Sequence, residues 1–168
     1  MRWLRAAAYA VSLSLGTAAA ADSEAEVTAT LQAFRVEKGS GGAERLIPAL
    51  EAHAGDIVDY QAEYRNHGKS DVRNLEVAVP LPPGMVYVPG SAQPSNVLAS
   101  EDGWAFGPLP LMRSVKTENG RERLERVPLA DYRFLLWRVP RIGAESSVLL
   151  SLRTKVTGRR TASAHAQK

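Results

Sequence analysis

The chain has 168 residues, a formal net charge of +3 and no cysteine. Its 21 basic and 18 acidic side chains are interspersed, without the clustered basic stripe that marks a nucleic-acid-binding protein. The lack of cysteine excludes disulfides, lipidation at a cysteine, thiol catalysis and thiolate metal sites.

Residues 1–21 have the parts of a secretory signal peptide. Arg2 and Arg5 provide a positive start, a short apolar stretch follows, and small residues lead to cleavage after Ala20 or Ala21. A retained membrane anchor is the alternative, but the stretch is shorter than the roughly 20 apolar residues that span a bilayer. The sequence therefore predicts an exported protein, periplasmic or secreted, with no transmembrane segment after cleavage.

Residues 22–157 are predicted to form one domain built from short strands separated by turns. The pattern is clearest in AGDIVDYQAEYRNHG, residues 54–68, where Val58, Tyr60, Ala62 and Tyr64 alternate with charged or amide residues. Period-two alternation is typical of an antiparallel strand with one buried face. We expect the two tyrosines to be packing residues and the alternating charged residues to face solvent.

Similar extended segments follow one another along the chain at intervals of a few residues. In chain order they are predicted at 26–36, 46–50 (an edge strand, because of Pro48), 58–65, 72–79, 85–88, 97–98, 104–111, 132–139 and 147–157. No segment after the signal peptide shows a convincing helical period. This spacing predicts an all-β, immunoglobulin-like antiparallel β-sandwich of about seven to nine strands, followed by a disordered basic tail at 158–168.

Residues 112–127 have a hairpin pattern of their own. Asn119-Gly120 lies at the centre, and this pair is a strong signal for a two-residue turn. Because its arms carry charged residues, we expect a ribbon that faces solvent.

Several turn and strand residues, taken in order, resemble a known family. They are Gly55-Asp56, Tyr60, Asn66-x-Gly68, Leu81-Pro82-x-Gly84, Tyr87 and Gly90-Ser91, with Trp137 before an alternating last strand. This order is similar to that of a bacterial conserved-repeat family of immunoglobulin-like cell-surface domains, domain of unknown function 11, over residues 46–157. The resemblance implies a structural or adhesive module of the envelope and no reaction. At its turns, we expect the glycines and Asn66 to adopt positive φ.

The chain departs from the family's pattern at three places. Val79-Pro80 stands where the family usually has an acidic residue before the Leu-Pro-x-Gly segment, Gly143 comes early in the last turn, and the Asn119-Gly120 ribbon is an insertion. The family also occurs mostly as tandem copies, whereas this chain holds one.

Titratable residues do not form a recognisable catalytic or metal-binding pattern. His53, His67 and His165 are scattered, no Gly-x-Ser-x-Gly motif is present, and we predict no catalytic residue, no cofactor and no metal ligand. Asp56, Asp59 and Asp71 are interpreted as solvated turn carboxylates, with a calcium site at one end of the sandwich as the open alternative.

The remaining candidates for contact residues are aromatic residues and residues of the ribbon. Trp137 is predicted to be core; Trp104 and Phe106 are predicted to pack in the core first and to bind a ligand second. In the ribbon, Asn119, Arg121 and Arg123 are candidate partner contacts.

The function predicted from these residues is non-enzymatic contact with another envelope protein, through strand addition at an edge or through the ribbon. The alternative is a carbohydrate-binding module that uses Trp104 and Phe106. A small hydrolase ranks third, because it needs carboxylates that converge in a pocket.

Overall fold

The computed structural model describes residues 27–157, so the predicted signal peptide and basic tail lie outside the described residues. Within this range the chain forms eleven strands and one short 3-10 helix at Leu129–Asp131, with no α-helix. The strands are β1 (Val27–Lys38), β2 (Glu44–Pro48), β3 (Ile57–Asn66), β4 (Val72–Pro80), β5 (Met85–Tyr87), β6 (Val97–Ser100), β7 (Gly107–Pro108), β8 (Met112–Lys116), β9 (Glu122–Arg126), β10 (Phe134–Ile142) and β11 (Ser147–Val156).

Nine of these strands form two antiparallel sheets that pack as a sandwich. The larger sheet has the order β2-β1-β3-β11-β5, and the smaller has the order β4-β10-β6-β7. The remaining pair, β8 and β9, forms a separate two-stranded ribbon. The predicted all-β, immunoglobulin-like sandwich is thus confirmed, and β2 is an edge strand as expected.

The core lies between the inward faces of the two sheets. Trp137 in β10, Leu150 in β11 and Leu135 are each almost fully buried, and Tyr60 and Tyr64 pack against the same cluster. The predictions that Trp137 is core and that the two tyrosines are packing residues are confirmed.

Asn66, at the end of β3, has a different role from the expected one. Its φ is not positive; that conformation occurs at Asn74 and Glu145 among the described non-glycine residues. Instead, the fully buried amide nitrogen of Asn66 donates to the carbonyl oxygens of Ser70, Ile142 and Gly143. Asn66 therefore fastens two turns to the end of the sandwich.

The turn between β8 and β9 is longer than the predicted two-residue turn. The Thr117 nitrogen donates to the Arg121 oxygen at 2.8 Å, and the Gly120 nitrogen donates to the Thr117 oxygen at 2.9 Å. Glu118, Asn119 and Gly120 thus form a three-residue loop, in which only Gly120 has positive φ, at 73°. This is a type I turn that closes with a glycine bulge.

Two further expectations are wrong. Residues 104–111 do not form one extended strand; only Gly107–Pro108 pair, as the short strand β7. Asp59, predicted to face solvent, is 7% exposed because Arg153 of β11 covers it and donates to its carboxylate at 3.0 Å.

Candidate functional site

Trp104 lies on the surface, so the expectation that it packs in the core is wrong. Its side chain is 90% exposed, more than that of any other large apolar residue in the described range. It belongs to the turn that follows β6, and this turn is held by one carboxylate. Asp102 Oδ1 accepts from the backbone nitrogens of Trp104, at 2.8 Å, and Ala105, at 3.0 Å.

The same turn is tied to the end of β6 by Ser100. The buried Ser100 hydroxyl donates to Asp102 Oδ1 at 2.9 Å and accepts from the Gly103 nitrogen at 2.9 Å. The Asp102 carboxylate thus accepts hydrogen bonds from Trp104, Ala105 and Ser100. These bonds, chiefly that from the Trp104 nitrogen, stabilise the carboxylate and hold the pKa of Asp102 below its ordinary value. The exposed tryptophan therefore stands on an ordered backbone.

Gly103 places this turn directly against the smaller sheet. Its φ is +84°, and a Cβ built there would lie 2.8 Å from the ring of Phe134 in β10. Only a glycine allows the backbone to approach the ring this closely.

Phe134 belongs to an outward-facing apolar surface of the smaller sheet. The strand register places Leu136 between Ala78 of β4 and Leu98 of β6, and it places Leu98 opposite Pro108 of β7. Pro80 lies opposite Phe134. Their neighbours Val77, Trp137 and Val97 are core residues, so the alternation of the strands directs the first group outward. We call this group, Ala78, Pro80, Leu98, Pro108, Phe134 and Leu136, the outer apolar face. Leu136 is itself buried, at 5% exposed, and the exposed members are Ala78, Pro80 and Pro108.

Phe106, the second aromatic candidate, is only half-buried. It directly precedes β7, so it lies at the same end of the smaller sheet as the Trp104 turn. The structure therefore brings Trp104 and Phe106 to one region but leaves Trp104 as the exposed member.

The ribbon's two faces differ in exposure. On one face, Arg113 donates to Glu101 at 3.0 Å and lies 4.0 Å from Asp131, which anchors the base of the ribbon beside the Trp104 turn. Arg123 is on this face too and forms an ion pair with Glu125. The opposite face consists entirely of exposed residues: Met112, Ser114, Lys116, Glu122, Leu124 and Arg126.

The three ribbon residues named from the sequence have different surroundings. Asn119 and Arg121 are exposed in and beside the tip loop, whereas Arg123 is partly neutralised by Glu125. Leu124, which is 68% exposed, is a surface residue that was not predicted from the sequence. The signal was present, because an isolated leucine between charged residues on a solvent-facing arm has nothing to pack against.

A shallow cavity of about 300 Å³ lies on the outward face of the larger sheet. It is lined by Thr30, Gln32, Gln61, Glu63 and Leu149. Glu63 is its one carboxylate, whereas a hydrolase that uses paired acids needs two.

The described histidines occupy separate positions. The His53 backbone nitrogen donates to Asp56, while the His67 ring lies 2.9 Å from the Thr28 hydroxyl. His165 lies outside the described residues. Within 27–157, no group of three or more His, Asp or Glu side chains is arranged to hold a metal ion.

No protein-family model, curated protein or solved structure matches this chain. Over residues 27–157, no helix is long and apolar enough to cross a membrane. What the fold defines is the class: an all-β, immunoglobulin-like sandwich with an exposed tryptophan turn and a separate charged ribbon.

Proposed function

We propose that this chain is an exported, non-enzymatic, immunoglobulin-like module of the bacterial cell envelope that acts by contact with another envelope protein. The observation that carries the proposal is the 90% exposure of Trp104 on an ordered turn beside the outer apolar face. Tryptophan is enriched among the residues that dominate binding energy at protein interfaces. A rigid backbone lowers the entropy lost when such a residue is buried by a partner.

The chemistry around Trp104 favours a protein over a sugar. A sugar site combines a stacking ring with polar side chains that bond the hydroxyl groups. Here the Asp102 carboxylate oxygen Oδ1 already accepts three bonds, from Ser100 and from its own turn. The charged groups beside the turn, Arg113 and Glu101, are paired with each other, and the outer apolar face lies next to them. An apolar surface of a partner protein fits this environment better.

Cross-linking in the native envelope fraction tests the proposal. The tagged full-length chain is cross-linked mildly and purified, and the same is done with Trp104→Ala and Leu50→Ala. Leu50 is a matched control, since its side chain is also apolar and 83% exposed but lies just beyond β2. We expect one specific partner with the wild type and Leu50→Ala, and its loss with Trp104→Ala. Recovery of the chain alone, or a partner that survives Trp104→Ala, would contradict the proposal.

Carbohydrate binding is the second candidate, and the exposed indole of Trp104 is the observation in its favour, because a flat exposed ring can stack on a sugar. It predicts that cell-wall glycans shift the tryptophan emission of the wild type and not that of Trp104→Ala. Protein contact predicts no such shift.

A further inference from the structure

The charge sequence of β9 is complementary to itself when reversed. From 122 to 126 it is Glu-Arg-Leu-Glu-Arg. When two copies run antiparallel and are centred on Leu124, Glu122 lies opposite Arg126 of the second copy and Arg123 lies opposite Glu125. Every charged position then meets the opposite charge, and Leu124 meets its own counterpart. This is the self-complementarity that a two-fold symmetric contact requires.

The hydrogen-bonding pattern of the ribbon leaves backbone N–H and C=O groups of β9 free to pair with a second copy. The Val127 nitrogen donates to the Leu111 oxygen at 2.9 Å, and Thr117 donates to Arg121 at 2.8 Å, so positions 121 and 127 direct their backbone groups toward β8. Directions alternate along an antiparallel strand. Glu122, Leu124 and Arg126 therefore direct theirs toward the open edge. A pairing centred on Leu124 uses these three residues.

The edge of β9 is also accessible. No strand other than β8 pairs with β9 in the described part of the chain, and an open edge of this kind is a template for strand pairing. Leu124 is 68% exposed and Met112, on the same face, is 45% exposed. Arg126 forms no ion pair within residues 27–157, while Glu122 makes one hydrogen bond, from Ser114.

The edge of β8 lacks this complementarity. Its sequence from 112 to 116 is Met-Arg-Ser-Val-Lys, and an antiparallel pairing centred on Ser114 places Met112 opposite Lys116. Arg113 is already engaged with Glu101 and Asp131. Of the two ribbon strands, therefore, only β9 has a charge sequence that is complementary to its own reversed copy.

We propose that two copies of this chain associate by antiparallel pairing of their β9 strands around Leu124. The two ribbons then form one four-stranded sheet in the order β8-β9-β9-β8, with Leu124 and Met112 of both copies on one face. Opposite charges across neighbouring strands stabilise the pairing. This inference does not rest on the proposed function, because it uses β9 and not the Trp104 surface.

Two single substitutions and their mixture test the proposal on the full-length chain by sedimentation equilibrium. Arg126→Glu places carboxylates opposite each other at both ends of the contact, and Glu122→Arg places guanidinium groups there. We expect each variant alone to raise the dimer dissociation constant by roughly tenfold or more. An equimolar mixture of the two variants should restore the dimer, because each chain then meets the opposite charge.

Restoration by mixing also excludes misfolding as the cause of the loss. Arg121→Glu is the matched control: it makes the same change of charge in the same ribbon, but outside the five paired positions, and should leave the dissociation constant unchanged. A wild type that stays monomeric up to roughly 1 mM, a dimer insensitive to Arg126→Glu, or a mixture that stays monomeric would each overturn the proposal. An envelope partner that depends on Trp104 could still be found, so the two proposals fail separately.

Discussion

Arg153 in β11 donates from Nε to Oδ2 of Asp59 in β3 at 3.0 Å, which leaves Asp59 7% exposed. The same guanidinium donates from Nη1 to Glu44 of β2 at 2.8 Å. In the sheet, β1 and β3 lie between β2 and β11, so the Arg153–Glu44 contact spans two intervening strands. One arginine therefore connects three strands of the larger sheet.

Removing Arg153 takes away the charged one of the two side-chain donors to Asp59, the other being the Gln61 amide at 3.1 Å. We expect Arg153→Ala to lower the free energy of unfolding by about 2 kcal/mol, since a hydrogen bond to a charged group contributes about 1.5–3 kcal/mol. Arg138→Ala is the control, because the Arg138–Glu76 pair is largely exposed and should change stability by less than about 1 kcal/mol. Urea unfolding measures both, and equal effects would contradict the assigned role of Arg153.

Alternation in the sequence is sufficient to place Asp59 on the outward face, but not to show that it is buried. Its partner is 94 residues further along the chain, and no local pattern carries that information. The strands themselves were predictable because each alternation or turn is local. For the same reason, the sandwich class could be predicted, whereas the contacts of Arg153 with Asp59 and Glu44 could not.

Asn66 is expected to be the most sensitive polar position of the described residues. Asn66→Ala leaves the three carbonyl oxygens and the Gly68 nitrogen, which donates to Oδ1 at 3.0 Å, without this partner. We expect a loss of about 3 kcal/mol, the upper part of the range for buried groups left unsatisfied.

Asn66→Asp distinguishes the loss of these bonds from a loss of volume. At neutral pH the new carboxylate cannot donate to the carbonyl oxygens of Ser70 and Gly143, so we expect it to be at least as destabilising as Asn66→Ala. Its protonated form can donate one such bond, so part of the stability should return as the pH falls. A stability of Asn66→Asp that does not change with acid, relative to wild type, would contradict this assignment.

The candidate site was less predictable than the fold. Trp104 was named from its aromatic chemistry, but its exposure depends on Asp102 and Gly103, which hold the turn above Phe134. The hairpin predicted from Asn119-Gly120 is present, but its loop has three residues and not two. The pair does not decide the loop length, because a two-residue turn and a turn with a glycine bulge both accept it. The reversed charge order of β9 is visible in the sequence, yet its meaning depends on which backbone groups face the open edge.

Gly103, in the Trp104 turn, is expected to tolerate an added side chain less well than Gly120 in the loop between β8 and β9. Gly103→Ala combines positive φ with a contact of 2.8 Å to the Phe134 ring, whereas Gly120→Ala, with φ at +73°, meets nothing within 4 Å. We expect Gly103→Ala to cost at least about 1 kcal/mol more than Gly120→Ala, because overpacking adds to the shared backbone strain. Thermal unfolding of both variants gives the comparison, and similar losses would show that the ring moves away freely.

Protonation of Asp102 should release the Trp104 turn only in strong acid. Hydrogen bonds, first from Trp104 and then from Ala105 and Ser100, lower the pKa of Asp102. A carboxylate with a lowered pKa contributes its full stabilisation above the ordinary aspartate value of about 3.9, and that contribution is lost as the pH falls through the folded pKa. We therefore expect the tryptophan emission assigned to Trp104 to stay constant through the ordinary range and to shift only below it.

Asp102→Asn supplies the baseline for this titration, since its amide oxygen can still accept while its side chain no longer titrates. The difference in emission between wild type and Asp102→Asn isolates the Asp102 step from the other tryptophans. A step at or above the ordinary aspartate pKa would mean that the turn does not stabilise the carboxylate. The same hydrogen bonds lower the pKa of Asp102 and hold the turn. Such a step would therefore also mean that these bonds do not fix the backbone that exposes Trp104.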